Sequence, residues 1–104
     1  MSVAIDIKQK KGKVCVRVSG EVDVSNADQL RDALGEELKQ SPKEVEVDIS
    51  GVPYIDSTGI GVLVGGAHHA QELNIKFAVF HPQRNVARVL SLLGVADDLG
   101  VQGD

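Results

Sequence analysis

The sequence predicts an α/β domain: a mixed sheet of four to five strands, opened by an N-terminal β-hairpin and joined by helical crossovers, with about four helices. Short apolar alternations at 3–7, 14–18 and 45–49 have the two-residue period of strands with one buried face. Apolar residues at helical spacing follow, as Leu30, Leu34 and Leu38, then Ile60, Leu63, Val64 and Ala67, then Val86, Val89, Leu90 and Leu93. That order of elements favours strands linked by right-handed crossovers. A chain of 104 residues suffices for one core, and no linker, repeat or low-complexity tract divides it. Residues 1–104 are therefore expected to form a single domain, with 102–104 a frayed tail.

Taken in order, Val3, Ile5 and Ile7 mark the first strand. The Lys/Gln/Gly tract at 8–13 reads as a turn in which Gly12 is free to take positive φ. Val14, Val16 and Val18 make the second strand, which should pair antiparallel with the first. Ser25 is a predicted N-cap, with Asp28 three residues on in the manner of a capping box. The helix it starts buries Ala27, Leu30, Leu34 and Leu38, leaves Gln29, Arg31, Asp32, Glu36 and Lys39 in water, and stops at Ser41-Pro42. Val45, Val47 and Ile49 form the third strand.

A second helix is expected to run from the Ser57 region to about Glu72, despite Gly59, Gly61, Gly65 and Gly66, each costing about 1 kcal/mol relative to alanine. Ile75–Phe80 is apolar at nearly every position, as in a strand covered on both faces. His81-Pro82 should open the last main helix, with proline in its first turn and Gly94 as its stop. Val95–Val101 adds a helical turn and a terminal strand.

Composition narrows the function. With a formal charge of −4 and a pI near 5.3, the chain is poorly suited to bind nucleic acid or an acidic membrane. The lysines at 8, 10, 11 and 13 read as a solvated hairpin turn. Cys15 is the single cysteine, so no intrachain disulfide can form, and its strand position suggests a buried thiol. Neither a membrane-spanning run nor a secretory leader is visible, which points to a cytoplasmic protein.

The chemistry concentrates in residues 48–66, DISGVPYIDSTGIGVLVGG. Here a strand passes through a Gly-Pro-containing turn and presents Asp56, Ser57 and Thr58 where a helix begins. Such a helix start has unpaired N–H groups and partial positive charge. No lysine stands where a phosphate-binding loop needs one, and Val64 occupies the third glycine position of a dinucleotide fingerprint. A hydrolase elbow would need glycine at position 55, which is Ile. His68 and His69 are adjacent and so point to different helix faces; with His81 they read as surface or packing residues, and neither a metal nor a cofactor is expected. On local chemistry alone, Asp56 as N-cap and Ser57 as first-turn residue account for the corner. Phosphorylation is the competing reading, because about −1.5 to −2 of added charge would sit at the positive end of a helix.

At this point the sequence resembles the STAS domains of bacterial anti-sigma factor antagonists. The segment VDISGVPYIDSTGIGVLV at 47–64 looks like the strand, turn and helix that carry the phosphorylatable serine of that family. SGEVDVSNADQLRDAL at 19–34 and HPQRNVARVLSLLGV at 81–95 fall in register with it. The resemblance implies a single STAS-like domain with no catalysis of its own. It implies a protein partner, an anti-sigma factor with serine/threonine kinase activity, bound by the unphosphorylated form and released when Ser57 is phosphorylated, with a serine phosphatase to reset the switch. By motif match Ser57 is the acceptor, Asp56 flanks it, Thr58 and Gly59 continue the helix start, and Asp23 matches an acidic position near the acceptor and is expected to contact the partner. Gly61 is expected on the partner side, beside Val62 and Gly65. The family also holds scaffolds and transport-associated subunits without a switch, and a small serine-dependent hydrolase or transferase remains the rival from another class. Asn74 stands where the family often has glycine; asparagine tolerates the same left-handed conformation.

Overall fold

The computed structural model describes residues 2–103. In chain order the elements are β1 (Ala4–Lys10), β2 (Lys13–Ser19), α1 (Ala27–Lys39), β3 (Glu44–Gly51), α2 (Ser57–Glu72), β4 (Lys76–Phe80) and α3 (Arg84–Leu92). The sheet is mixed and four-stranded, in the order β1-β2-β3-β4. β1 pairs antiparallel with β2, while β2–β3 and β3–β4 are parallel and bridged by α1 and α2 respectively. Among the described residues the helices number three where about four were expected, because residues 96–100 form turns and no fourth helix.

The hairpin is longer than the lysine tract suggested. Lys8, Gln9 and Lys10 continue β1, and only Lys11 and Gly12 turn, both at positive φ of 50° and 84°. A two-residue turn with both residues left-handed matches the twist of the strands it joins, so pairing persists to its edge.

Alternation sorts the sheet into two faces. Val14, Val16 and Val18 of β2 and Val45, Val47 and Ile49 of β3 are buried and join the inner residues of the helices in one core. The helices contribute Leu30, Leu34 and Leu38 from α1, Ile60, Leu63, Ala67 and Ala70 from α2, and Val86 and Leu90 from α3. The opposite face carries Arg17, Glu44, Glu46, Asp48 and Lys76, with Lys13 Nζ 2.6 Å from Glu46 Oε2. Cys15 belongs to that face, half-buried beside Lys8 and Glu46, and is not in the core. β4 is covered on both faces beyond Lys76: Ala78, opposite Glu46 on the polar face, and Val79, opposite Val47 on the core face, are both buried, while Lys76 is exposed.

Two helix starts differ from expectation. α1 begins at Ala27 after Asn26, and Asp28 pairs with Arg31 at 3.1 Å instead of closing a capping box with Ser25. Asp23 takes over the turn before it, since its carbonyl accepts from both Asn26 N–H and Ala27 N–H. α3 begins at Arg84, so Pro82 lies ahead of the helix and Gln83 occupies the N-cap position. Val89 within it and Leu93 at its C-cap are exposed, leaving Val86 and Leu90 as the buried pair.

The helix ends follow the sequence. Gly94 (φ 73°) and Asn74 (φ 59°) both adopt the left-handed conformation just past α3 and α2. The Val95 and Ile75 N–H groups then reach back to Leu90 and Ala70 carbonyls, the long hydrogen bond of a Schellman ending. The last segment runs beside β4: Gln102, assigned by sequence to the tail, donates to Val79 O and accepts from His81 N–H, each at 2.8 Å.

Candidate functional site

The corner at Ser57 is assembled from two chain segments that meet at the end of the sheet. Beyond β2 and β3 the chain keeps a strand-like approach, with Val22 and Ile55 forming an isolated parallel bridge. Val22 N–H donates to Tyr54 O and Asp56 N–H donates to Val22 O, both at 3.0 Å. Val22 and Ile55 are buried, so the bridge fastens the corner to the core.

Asp56 has extended backbone and caps α2. One carboxylate oxygen accepts the Gly59 N–H at 2.9 Å, and the other accepts the Val24 N–H at 3.1 Å. A single side chain therefore closes the helix and holds the 22–24 loop against it, one carboxylate oxygen for each task.

Asp23 faces its own turn. Its carboxylate accepts from the Ser25 hydroxyl at 2.5 Å and the Ser25 N–H at 2.9 Å. Those two hydrogen bonds, the hydroxyl first, hold the Asp23 carboxyl below the usual carboxylate range. Asn26, buried beneath, accepts from Asp23 N–H at 3.0 Å and donates to Glu21 O at 2.9 Å. Asn26 is thus a structural member of the site that sequence reasoning passed over; its signal was a polar residue immediately before the first buried helical position.

Ser57 is the first residue of α2 and is exposed, as is Thr58. Among the described residues the Ser57 hydroxyl and the backbone N–H groups of Ser57 and Thr58 have no partner, so nothing in the fold depends on that hydroxyl staying as it is. The same absence bears on nucleophilic catalysis: no imidazole hydrogen-bonds Ser57 Oγ, the contact an activated serine needs. His68, His69 and His81 are all exposed, and the His81 ring meets Phe80 edge-on at 5.8 Å. Among the described residues no group of three or more His, Cys, Asp or Glu is arranged to hold a metal ion.

The glycines separate into two kinds. Gly59 is buried, and a Cβ there would lie 2.7 Å from Val22 Cγ1 and from Ile55 Cγ1. Glycine at 59 therefore lets α2 start close against the bridge, a packing reason that differs from the partner contact expected of it. Gly61 and Gly65 are exposed, and a Cβ at either would meet nothing within 4 Å. Together with Thr58, Val62, Arg31 and Gly35 they border an open groove of about 460 Å³ between α1 and α2. Two apolar side chains that the sequence did not single out, Val24 and Tyr54, stand 74% and 51% exposed on the loops flanking Ser57.

Comparison with known proteins agrees with this architecture. Residues 4–103 match the STAS domain family. The anti-sigma-B factor antagonist of Bacillus subtilis is 27% identical over 101 residues, spanning 97% of this chain and 92% of that protein. Among solved structures, an anti-sigma factor antagonist from Mycobacterium paratuberculosis superposes with a TM-score of 0.88 at 25% identity, over 96% of this chain and 85% of that one. The phosphorylated form of the Bacillus cell fate determinant SpoIIAA has the same fold, with a TM-score of 0.77 at 16% identity over 97% of this chain and 91% of that one. With the match running through every strand and helix described, the chain belongs to the STAS domain family, alongside proteins that act as anti-sigma factor antagonists.

Proposed function

We propose that this protein is an anti-sigma factor antagonist whose unphosphorylated form binds an anti-sigma factor with serine/threonine kinase activity, and that phosphorylation of Ser57 ends the complex. The observation that carries the reading is the division of labour at the corner. Asp56 closes the helix, Gly59 seats it, and Ser57 is left exposed with no structural task.

A phosphoryl group on Ser57 would lie at the positive end of α2, near unpaired N–H groups, so the fold can accept it. A partner packed against the neutral serine cannot. Burying an unpaired dianion beside the Asp23 and Asp56 carboxylates costs several kcal/mol, an affinity loss of about a thousandfold. Asp23, Asp56, Ser57, Thr58 and Gly61 supply the contact surface, with Val24 and Tyr54 as its apolar part and Gly59 as its support. A serine phosphatase resets the switch, the protein itself supplies no catalysis, and the exchange takes place in the cytoplasm without nucleic acid or membrane.

The test is incubation of the full chain with the anti-sigma kinases of its host and ATP, read by mass spectrometry. Phosphate on Ser57, lost in Ser57→Ala, is the expected result. Ser57→Ala should still bind the kinase, whereas Ser57→Asp should bind much more weakly. Absence of phosphate on Ser57 with every such kinase would falsify the switch and leave a STAS scaffold or transport-associated subunit as the function.

A further inference from the structure

The outer face of α3 has a composition that the rest of the molecule does not account for. Only Val86 and Leu90 are buried on this helix, while Val89 is 39% exposed, Leu92 76% and Leu93 56%. Single exposed apolar residues are ordinary. Here they gather on one short helix and its C-cap, and Arg84 and Arg88 stand beside Val89 and Leu92 around a shallow depression that also includes Asn85.

Both arginines are exposed, and among the described residues neither has a carboxylate partner, although the chain is acidic overall. Arg84 is also placed against the helix dipole. It is the first residue of α3, where positive charge is unfavourable, and no acidic residue accompanies it in the first turn. The Gln83 side chain gives the helix no cap and instead donates to Ser50 O at 3.0 Å. The N-terminal half of this face is therefore cationic with no anion of its own, and its C-terminal half is apolar and uncovered.

We infer that the Arg84–Leu92 face of α3 is a docking surface for an acidic segment of a partner protein, one that sets carboxylates against Arg84 and Arg88 and an apolar side chain against Val89 and Leu92. Arginine suits this task because its planar fork matches a carboxylate with two parallel hydrogen bonds. A second copy of this chain is a poor occupant, since apposed copies of the same face would bring the arginines together. The inference does not depend on the reading of Ser57. The face is linked to the loop before Ser57, because Asn85 Nδ2 donates to Pro53 O at 2.8 Å, next to Tyr54.

The test is titration of the isotope-labelled full chain with a short helical peptide carrying glutamates one turn apart and a leucine between them. A counterpart with lysine in place of each glutamate is the control. Saturable amide shifts confined to residues 84–93 with the acidic peptide, weakened by salt and absent with the lysine peptide, are expected. The double variant R84E/R88E should lower that affinity by about tenfold or more, and Leu92→Ser should lower it too, neither with a fall in melting temperature. The proposal is overturned by no shift with the acidic peptide, or by equal shifts with both peptides. Shifts that follow protein concentration alone would replace it with self-association. Shifts produced by phosphatidylglycerol vesicles and not by the peptide would replace it with a membrane surface.

Discussion

Gly59 and Gly61 lie two positions apart on α2, yet opposite substitution effects are expected at them. A methyl at 59 collides with Val22 and Ile55, which are held by the bridge beneath, so Gly59→Ala should destabilise by about 1–3 kcal/mol through overpacking. At 61 the space is open, and Gly61→Ala should stabilise by up to about 1 kcal/mol through helix propensity. Urea unfolding of the two variants checks both signs. Asp56→Ala removes the α2 cap and the Val24 partner together and should cost about 1–2 kcal/mol in the same measurement. Asp23 adds a pH dependence. Its folded pKa lies below the unfolded value of about 3.9, so its contribution is complete above that value and is lost as pH falls through the folded pKa. Asp23→Asn should therefore flatten the acid limb of the stability profile, with no steepening at neutral pH. Of this corner the sequence showed the Asp-Ser-Thr run and its helix. It did not show that Asp56 serves two partners, because Val24 is far away in the chain.

At the scale of elements, helix ends were more legible than helix starts. Gly94 and Asn74 end α3 and α2 because few residues tolerate positive φ, and such residues can be seen in any sequence. Asn74→Gly should leave stability nearly unchanged, while Asn74→Ala should cost about 1 kcal/mol, readable as a fall in thermal midpoint. Starts were misread where competing hydrogen bonds decided them. Ser25 is a good cap by type, but its hydroxyl is taken by Asp23, and the turn before α1 is organised by Asp23 and the buried Asn26. Pro82 is a good first-turn residue by type, but His81 turns the chain at φ 59° and the helix waits until Arg84. In both cases the loser was a local preference worth about 1 kcal/mol, which a few tertiary contacts outweigh.

Across the whole molecule, the sheet separates a core face from a polar face, and the Ser57 corner lies at neither. Ser57 is exposed, so Ser57→Asp should change unfolding free energy by no more than about 0.5 kcal/mol even while it disrupts partner binding. Circular dichroism melts of the two proteins, set beside a binding measurement, separate those effects. The Cys15 thiol lies on the polar face, and burial first, then Asp48 and Glu46, pushes its pKa up. It should react slowly with a thiol reagent at neutral pH in the folded state and rapidly once unfolded, since the thiolate is the reactive form.

The sequence by itself determined the order of elements, the two-faced strands, the leucine stripe of α1 and the corner at Asp56-Ser57-Thr58. Each of these is written in local period or local residue type. Only the tertiary structure decided what those residues meet. It buried Gly59 and left Gly61 open, exposed Val89 and Leu93, moved Cys15 to the polar face, and brought Val22 and Val24 against Tyr54 and Asp56. The physical reason is that periodicity says which side of an element is apolar, whereas burial depends on how much of that side its neighbours cover. Whether Ser57 is only part of a helix start or is also a site free to be modified turns on that coverage, and the structure leaves its hydroxyl uncovered.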